Sequence, residues 1–166
     1  MTLFPHLTDE EADECATTYR RIFEVNKKKM VPQLFPHVAE TLAELQQRGI
    51  TMSVASSRSN ASLLGFLNDM GIQQFISYVL GAEDVTKPKP DPEPVQKTLK
   101  AMNIPASEAL VVGDMPVDIL MGRNAGTRTC GVTYGNASRQ QLEEAGADFV
   151  IDDMEELITT IFNGQE

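Results

Sequence analysis

Ala109-Leu-Val-Val-Gly-Asp-Met-Pro-Val-Asp118 is the stretch that decides the fold. Its first four residues are apolar, which predicts a strand buried on both faces. The residues after it, up to Gly126, predict a helix and its cap. Asp114 then stands at the tip of the strand. Asp118 lies one turn into the helix, so the two carboxylates face the same way.

Paired carboxylates in this position suggest a metal site. Two hard oxygen donors suit Mg²⁺, which keeps several waters and accepts a phosphate oxygen as a further ligand. From the residues alone, one alternative stays open, in which Asp114 caps the helix and Asp118 is solvated.

Strand-like runs alternate with amphipathic helices along the rest of the chain. This alternation predicts an α/β fold, with a Rossmann-like parallel sheet and helices on both faces. Ligands should bind beyond the carboxyl ends of the strands. Strands are predicted over 50–55, 75–80, 109–112, 127–132 and 148–151, and helices over 8–29, 38–49, 63–70, 95–102, 119–126, 138–145 and 154–162.

A hydroxyl-rich turn, Ser56-Ser-Arg-Ser-Asn60, follows the first of these strands. It opens a helix, whose free N–H groups and positive dipole end suit a phosphate. The alternative is that Ser59 or Asn60 merely caps the helix.

A proline-framed loop over 87–94 follows the second strand. Its four prolines stiffen the backbone, so an ammonium held there loses little entropy on contacting an anion. Lys89 is the favoured cation, and Lys87 competes for the role. The alternative is a rigid, solvated turn.

These three clusters together resemble motifs two, three and four of the haloacid dehalogenase superfamily. The stretch 34–45 is similar to the family's lead-in from its cap, and Gly146-Ala-Asp148 before a terminal helix also fits. The branch most similar is the phosphoglycolate phosphatase-like proteins with a helical cap. The resemblance implies two parts, a remnant of a helical cap over 1–33 and an α/β core over 34–166.

The resemblance also implies a chemistry, Mg²⁺-dependent hydrolysis of a small phosphorylated metabolite through an aspartyl-phosphate. By position, Ser56 would hydrogen-bond the phosphoryl group and Lys89 would neutralise charge. Asp114 would bind Mg²⁺ and Asp118 would ligate or orient the waters of the metal. The substrate side would comprise Ser56, Ser57, Arg58, Asn60 and Lys89.

One family element is missing from the sequence. The first motif of the family is an apolar strand ending in Asp-x-Asp, which carries the nucleophile, and no such stretch occurs. We therefore expect the strands beside its place to lack partners and turnover by this chain alone to fail. A late start or cleaved chain, a strand supplied by a second chain through self-association or exchange, and a non-catalytic relative would each explain this.

Composition limits the partners. The net charge of −10 repels phosphate backbones, so nucleic acid is not an expected partner. No apolar run approaches the ~20 residues that span a bilayer, and two cysteines without metal-type spacing suit a reduced, cytoplasmic setting. The alternative functions are a phosphate-binding or scaffold protein and a phosphosugar mutase of the same fold.

Overall fold

Helices and strands alternate throughout the part of the chain that a computed structural model describes, residues 33–163. The predicted helix over 8–29 and the predicted cap remnant over 1–33 lie outside these residues, apart from the last position. The main elements are α1 (Val38–Gln47), β1 (Ser53–Ala55), α2 (Asn60–Asp69), β2 (Tyr78–Leu80), α3 (Glu93–Met102), β3 (Leu110–Gly113), α4 (Pro116–Asn124), β4 (Arg128–Val132), α5 (Arg139–Glu144), β5 (Phe149–Ile151) and α6 (Glu156–Phe162).

All strand pairings are parallel, as the alternation predicts. β1 pairs with β2, and β4 pairs with β3 on one side and β5 on the other. The α/β class with helices around parallel strands is therefore confirmed. The strands predicted over 50–55 and 75–80 are shorter than expected, and a 3₁₀ turn over Gln73–Phe75 occupies the start of the second.

The strands form two separate sheets, β1-β2 and β3-β4-β5. Within residues 33–163 no backbone hydrogen bond joins β1 to β3. Each of these two strands thus has one unpaired edge in the described part of the chain. The prediction that 109–112 is buried on both faces is wrong, because Val112 is 37% exposed. An edge strand has a neighbour on one side only, so its side chains are less covered.

Helices cover both faces of the three-stranded sheet. On one face Cys130 and Val132 of β4 pack with Leu45 of α1 and Leu157 of α6. On the other face there is room only for glycine at position 131, where a Cβ would lie 2.9 Å from the Leu142 side chain of α5. The alternation along β4 follows the period of two in a strand.

Glycines end the first two helices as the sequence predicts. Gly49 and Gly71 have φ of 84° and 68°, the left-handed conformation that a helix C-terminus needs. The loop predicted over 87–94 is shorter, because α3 begins at Glu93 and includes Pro94. Proline is tolerated in a first helical turn, where its missing N–H leaves no hydrogen bond unmade. Among the described helices, none has the length and apolar character to cross a membrane.

Candidate active site

An ion pair joins the loop after β2 to the helix after β3. Nζ of Lys89 lies 2.6 Å from Oδ1 of Asp118, and the two side chains are 21% and 10% exposed. The structure therefore brings together two of the three clusters predicted from the sequence. Because water is largely excluded, the pair fixes the ammonium more firmly than a surface ion pair would.

Asp118 also organises the first turn of α4. Its Oδ2 accepts a hydrogen bond of 3.2 Å from the Met115 N–H. Gly113 makes this approach possible, since a Cβ there would lie only 2.3 Å from the Cβ of Asp118. The alternative that Asp118 is a solvated side chain is wrong, because the residue is 7% exposed.

Asp114 is held by the loop after β4. Its Oδ2 accepts hydrogen bonds from the backbone N–H and the Nδ2 of Asn136, at 3.0 and 2.7 Å. Its backbone carbonyl accepts from the Ala137 N–H at 3.1 Å. Among the described residues, no donor bonds Oδ1, and none of the N–H groups of α4 bonds this carboxylate. Asp114 therefore keeps one oxygen for another ligand and does not cap the helix.

Ser56, Ser57 and Lys89 line one cleft of about 250 Å³. Pro88, Val85 and Pro94 supply apolar wall beside them. The Ser56 Oγ accepts a 3.2 Å hydrogen bond from the Arg58 N–H. Its hydroxyl proton thus stays available to a ligand in the cleft, since a hydroxyl can donate while it accepts.

Arg58 and Asn60, the other predicted substrate contacts, are not among the residues that line this cleft. The guanidinium of Arg58 lies 4.9 Å from the centre of the Phe66 ring. Oδ1 of Asn60 is buried beside Gly81 and has no hydrogen-bond partner in the described structure. The alternative that Ser59 caps the helix is confirmed, since its Oγ accepts from the Ser62 N–H.

The loop that carries Lys89 is anchored by Glu93, a residue that no sequence motif singles out. Its carboxylate accepts hydrogen bonds from the N–H and Oγ1 of Thr86 and from the Lys87 N–H, at 2.7 to 2.9 Å. The Thr86 N–H and the Lys97 side chain together lower the pKa of Glu93 to about 2. Lys87 itself is exposed and does not line the cleft.

Two asparagines also position the site and were not predicted. Asn124, at the end of α4, donates from Nδ2 to the Pro90 carbonyl at 3.1 Å, which ties the lysine loop to this helix. Asn136 holds Asp114 from a position 22 residues along the chain. Asn124 lies within the Gly113–Gly126 stretch, which marks it as a candidate. Asn136 has no local signal, because only the tertiary fold brings it there.

The donor set at the end of β3 fits Mg²⁺. This ion usually binds through one or two carboxylates, with waters and a substrate phosphate completing its shell. Asp114 offers a free oxygen, whereas both oxygens of Asp118 already carry hydrogen bonds. Asp114 is therefore the better direct ligand, and Asp118 is suited to orient the waters around the ion.

A family model described as haloacid dehalogenase-like hydrolase matches residues 2–132. The parallel strands, the ion pair between the lysine loop and α4, and this match agree, and the chain belongs to the haloacid dehalogenase-like hydrolases.

Curated relatives from bacilli match this chain over most of its length. Pyrophosphatase PpaX of Oceanobacillus iheyensis is 31% identical over 158 residues, which are 95% of this chain and 73% of the relative. The PpaX of Bacillus velezensis is 32% identical over 155 residues, 93% of this chain and 71% of the relative.

Solved structures share the fold. A Haemophilus somnus protein described as a predicted phosphoglycolate phosphatase matches with a TM-score of 0.84 and 25% identity, over 93% of this chain and 68% of its own. A Thermotoga maritima protein described as a candidate β-phosphoglucomutase matches with a TM-score of 0.80 over 89% of this chain and 69% of its own. At 22% identity, the second likeness concerns the fold alone.

Proposed function

We propose that this chain forms the phosphate- and Mg²⁺-binding part of a phosphatase for small phosphate monoesters. The observation that carries the proposal is the Lys89–Asp118 ion pair at a cleft that Ser56 also lines. The names of the relatives support a small phosphorylated substrate, although only phosphoglycolate is a phosphate monoester and pyrophosphate is a phosphoric anhydride.

Each side chain of the cleft has a separate task. Lys89 holds its ammonium against phosphoryl oxygens and neutralises charge that develops there. Ser56 donates its free hydroxyl proton to a phosphoryl oxygen, while its lone pair accepts from the Arg58 N–H. Ser57 supplies a second polar contact on the same wall. Asp118 positions the lysine, since its Oδ1 is the atom that bonds Nζ.

Mg²⁺ is the proposed cofactor, with Asp114 as its direct protein ligand through Oδ1. Asn136 fixes the other oxygen and so sets the direction of the free one. When bound, the ion would neutralise charge on the phosphate. Asp118 would hold waters at this end of β3 through the face of its carboxylate that the Lys89 and Met115 bonds leave available.

Hydrolysis through an aspartyl-phosphate needs a further carboxylate as nucleophile. We propose that it comes from a strand that completes the sheet between β1 and β3, outside residues 33–163. Within residues 33–163, each of these two strands has one unpaired edge, which supports this proposal. We also propose that the chain self-associates or exchanges a strand through the same edges, because unpaired edges readily accept another chain. The proposed compartment is the cytoplasm.

Assay with Mg²⁺ and a generic aryl phosphate tests the function. We expect little turnover by the chain alone and phosphatase activity once a strand bearing the nucleophile is supplied. Asp114→Ala should then abolish the activity. If activity never appears although inorganic phosphate binds, the chain is a non-catalytic phosphate-binding relative. Interconversion of sugar phosphates without net phosphate release would instead indicate the mutase.

A further inference from the structure

A second set of metal-type donors lies where α1 begins. His37, Asp153 and Glu155 each offer one ligand atom, and these atoms lie within 4.8 Å of one another. Nδ1 of His37 is 2.8 Å from Oδ2 of Asp153 and 4.0 Å from Oε2 of Glu155. We propose that these three residues bind a divalent transition-metal ion of the zinc type.

The backbone around the three donors is defined by short-range contacts. His37 precedes α1 in the left-handed conformation, with φ of 63°. Asp153 and Glu155 lie in the loop between β5 and α6, and Oδ1 of Asp153 accepts the Glu155 N–H at 3.0 Å. The Asp153 N–H in turn donates to Glu156 at 3.0 Å. The carboxylate of Asp153 is thus oriented before any ion arrives, which reduces the entropy cost of binding.

Local charge favours a cation. Among the described residues, the ion pairs of Asp153 and Glu155 involve His37 alone, with no lysine or arginine. Glu40 of α1 adds a further negative charge that acts on the imidazole. The hydrogen bond with Asp153 is the main reason that the pKa of His37 is raised. A metal ion bound at Nδ1 would replace the imidazole proton that is shared with Asp153. It would also relieve the repulsion between the two carboxylates.

The donor chemistry selects the kind of ion. One imidazole nitrogen and two carboxylate oxygens suit Zn²⁺, which binds such mixed sets with water completing the shell. Mg²⁺ prefers oxygen ligands alone and loses its waters reluctantly. The proposed zinc-type site therefore differs in selectivity from the Asp114 site and does not depend on the proposed phosphatase function.

Nuclear magnetic resonance of the imidazole groups tests this proposal directly. The chain has two histidines, His6 and His37, so their signals can be assigned with His6→Gln and His37→Gln. Titration of the full chain with ZnCl₂ should shift the His37 signal at micromolar metal, whereas MgCl₂ should not. Asp153→Asn and Glu155→Gln should each weaken the Zn²⁺ response by about tenfold or more.

Glu143→Gln is the matched control, because it removes one exposed carboxylate of α5 that pairs with Arg139 and is not one of the three donors. It should leave the Zn²⁺ titration unchanged. The proposal would be overturned if Zn²⁺ did not shift the His37 signal, or if the shift were unchanged in Asp153→Asn and Glu155→Gln. It would also be overturned if Glu143→Gln weakened the Zn²⁺ response equally. A response to MgCl₂ of the same size would also overturn it.

Discussion

The ammonium of Lys89 bonds the carboxylate of Asp118 at 2.6 Å across 29 residues of sequence. This ion pair joins the loop after β2 to the helix after β3, and so spans the two separate sheets. It ties the predicted phosphate-binding lysine to one of the two predicted metal-binding carboxylates. Both its stability and its chemistry can be measured.

Breaking the ion pair should destabilise the fold. Asp118→Asn keeps the acceptor for the Met115 N–H but leaves the Lys89 charge without its partner, which should cost roughly 2–3 kcal/mol of unfolding free energy. Urea unfolding at pH 7 measures this loss. Replacing both partners, as in Lys89→Met with Asp118→Asn, should recover part of it, because no uncompensated charge then remains. If the double variant lost as much unfolding free energy as Lys89→Met and Asp118→Asn lose together, a direct interaction would be contradicted.

Acid should weaken the lysine loop through Glu93. The pKa of Glu93 is about 2 in the fold, against an ordinary value of 4.5. A depressed carboxyl pKa contributes stability above the unfolded value, and this contribution is lost as pH falls from about 4.5 towards 2. Between pH 4.5 and 2, the thermal unfolding temperature of the natural chain should fall more steeply than that of Glu93→Gln. Parallel pH profiles for the two proteins would exclude this role for Glu93.

Asn136 should act as a positioning residue for metal binding. Asn136→Ala removes the side-chain bond to Oδ2 of Asp114 and should weaken Mg²⁺ affinity by about tenfold or more, as loss of outer hydrogen bonds does in other metal sites. Calorimetric titration with MgCl₂ measures the change. Asn68→Ala, at an exposed position on α2, is the control and should bind Mg²⁺ normally. Equal affinities in all three proteins would remove Asn136 from the site.

The unpaired edge of β3 should make the chain self-associate. Sedimentation velocity should show association that increases with concentration, and Val112→Lys should suppress it, because a charge on an edge strand opposes pairing. Leu64→Lys is the matched control, since Leu64 is similarly exposed at 43% but lies on α2. If the chain were monomeric at every concentration, or if both variants suppressed association equally, association through the edge of β3 would be contradicted.

Much of the site could be predicted because its motifs are local. A strand followed by a polar turn places Ser56 and Asp114 directly after strands, and parallel pairing of β1 with β2 brings Ser56 and the loop of Lys89 to one side. The ion pair between Lys89 and Asp118, rather than strand pairing, links that side to the helix after β3. The glycines at 49 and 71 marked helix ends for an equally local reason, their positive φ. The prolines likewise identified the loop, although α3 takes in its last two residues.

The remaining features depend on contacts that sequence spacing does not reveal. Asn136 reaches Asp114 only through the turn after β4, and the buried Oδ1 of Asn60 meets Gly81 only because β2 lies beside β1. Val112 is exposed on β3, which has a partner on one side only among the described strands, and an apolar run cannot indicate this. Local patterns thus locate the ends of elements, whereas tertiary pairing decides what lies beside them.

Binding of inorganic phosphate in the presence of Mg²⁺ is the most direct test of the central claim, that Ser56, Lys89 and the Asp114–Asp118 pair form one site. Lys89→Ala should weaken phosphate binding by about tenfold or more, because a charge-assisted hydrogen bond contributes roughly 1.5–3 kcal/mol. Ser56→Ala, which leaves the ion pair intact, should weaken it too. Lys87→Ala, in the same loop but outside the cleft, should bind as the natural chain does. If Lys87→Ala loses as much affinity as Lys89→Ala in folded protein, or if neither loses any, the site does not exist as described.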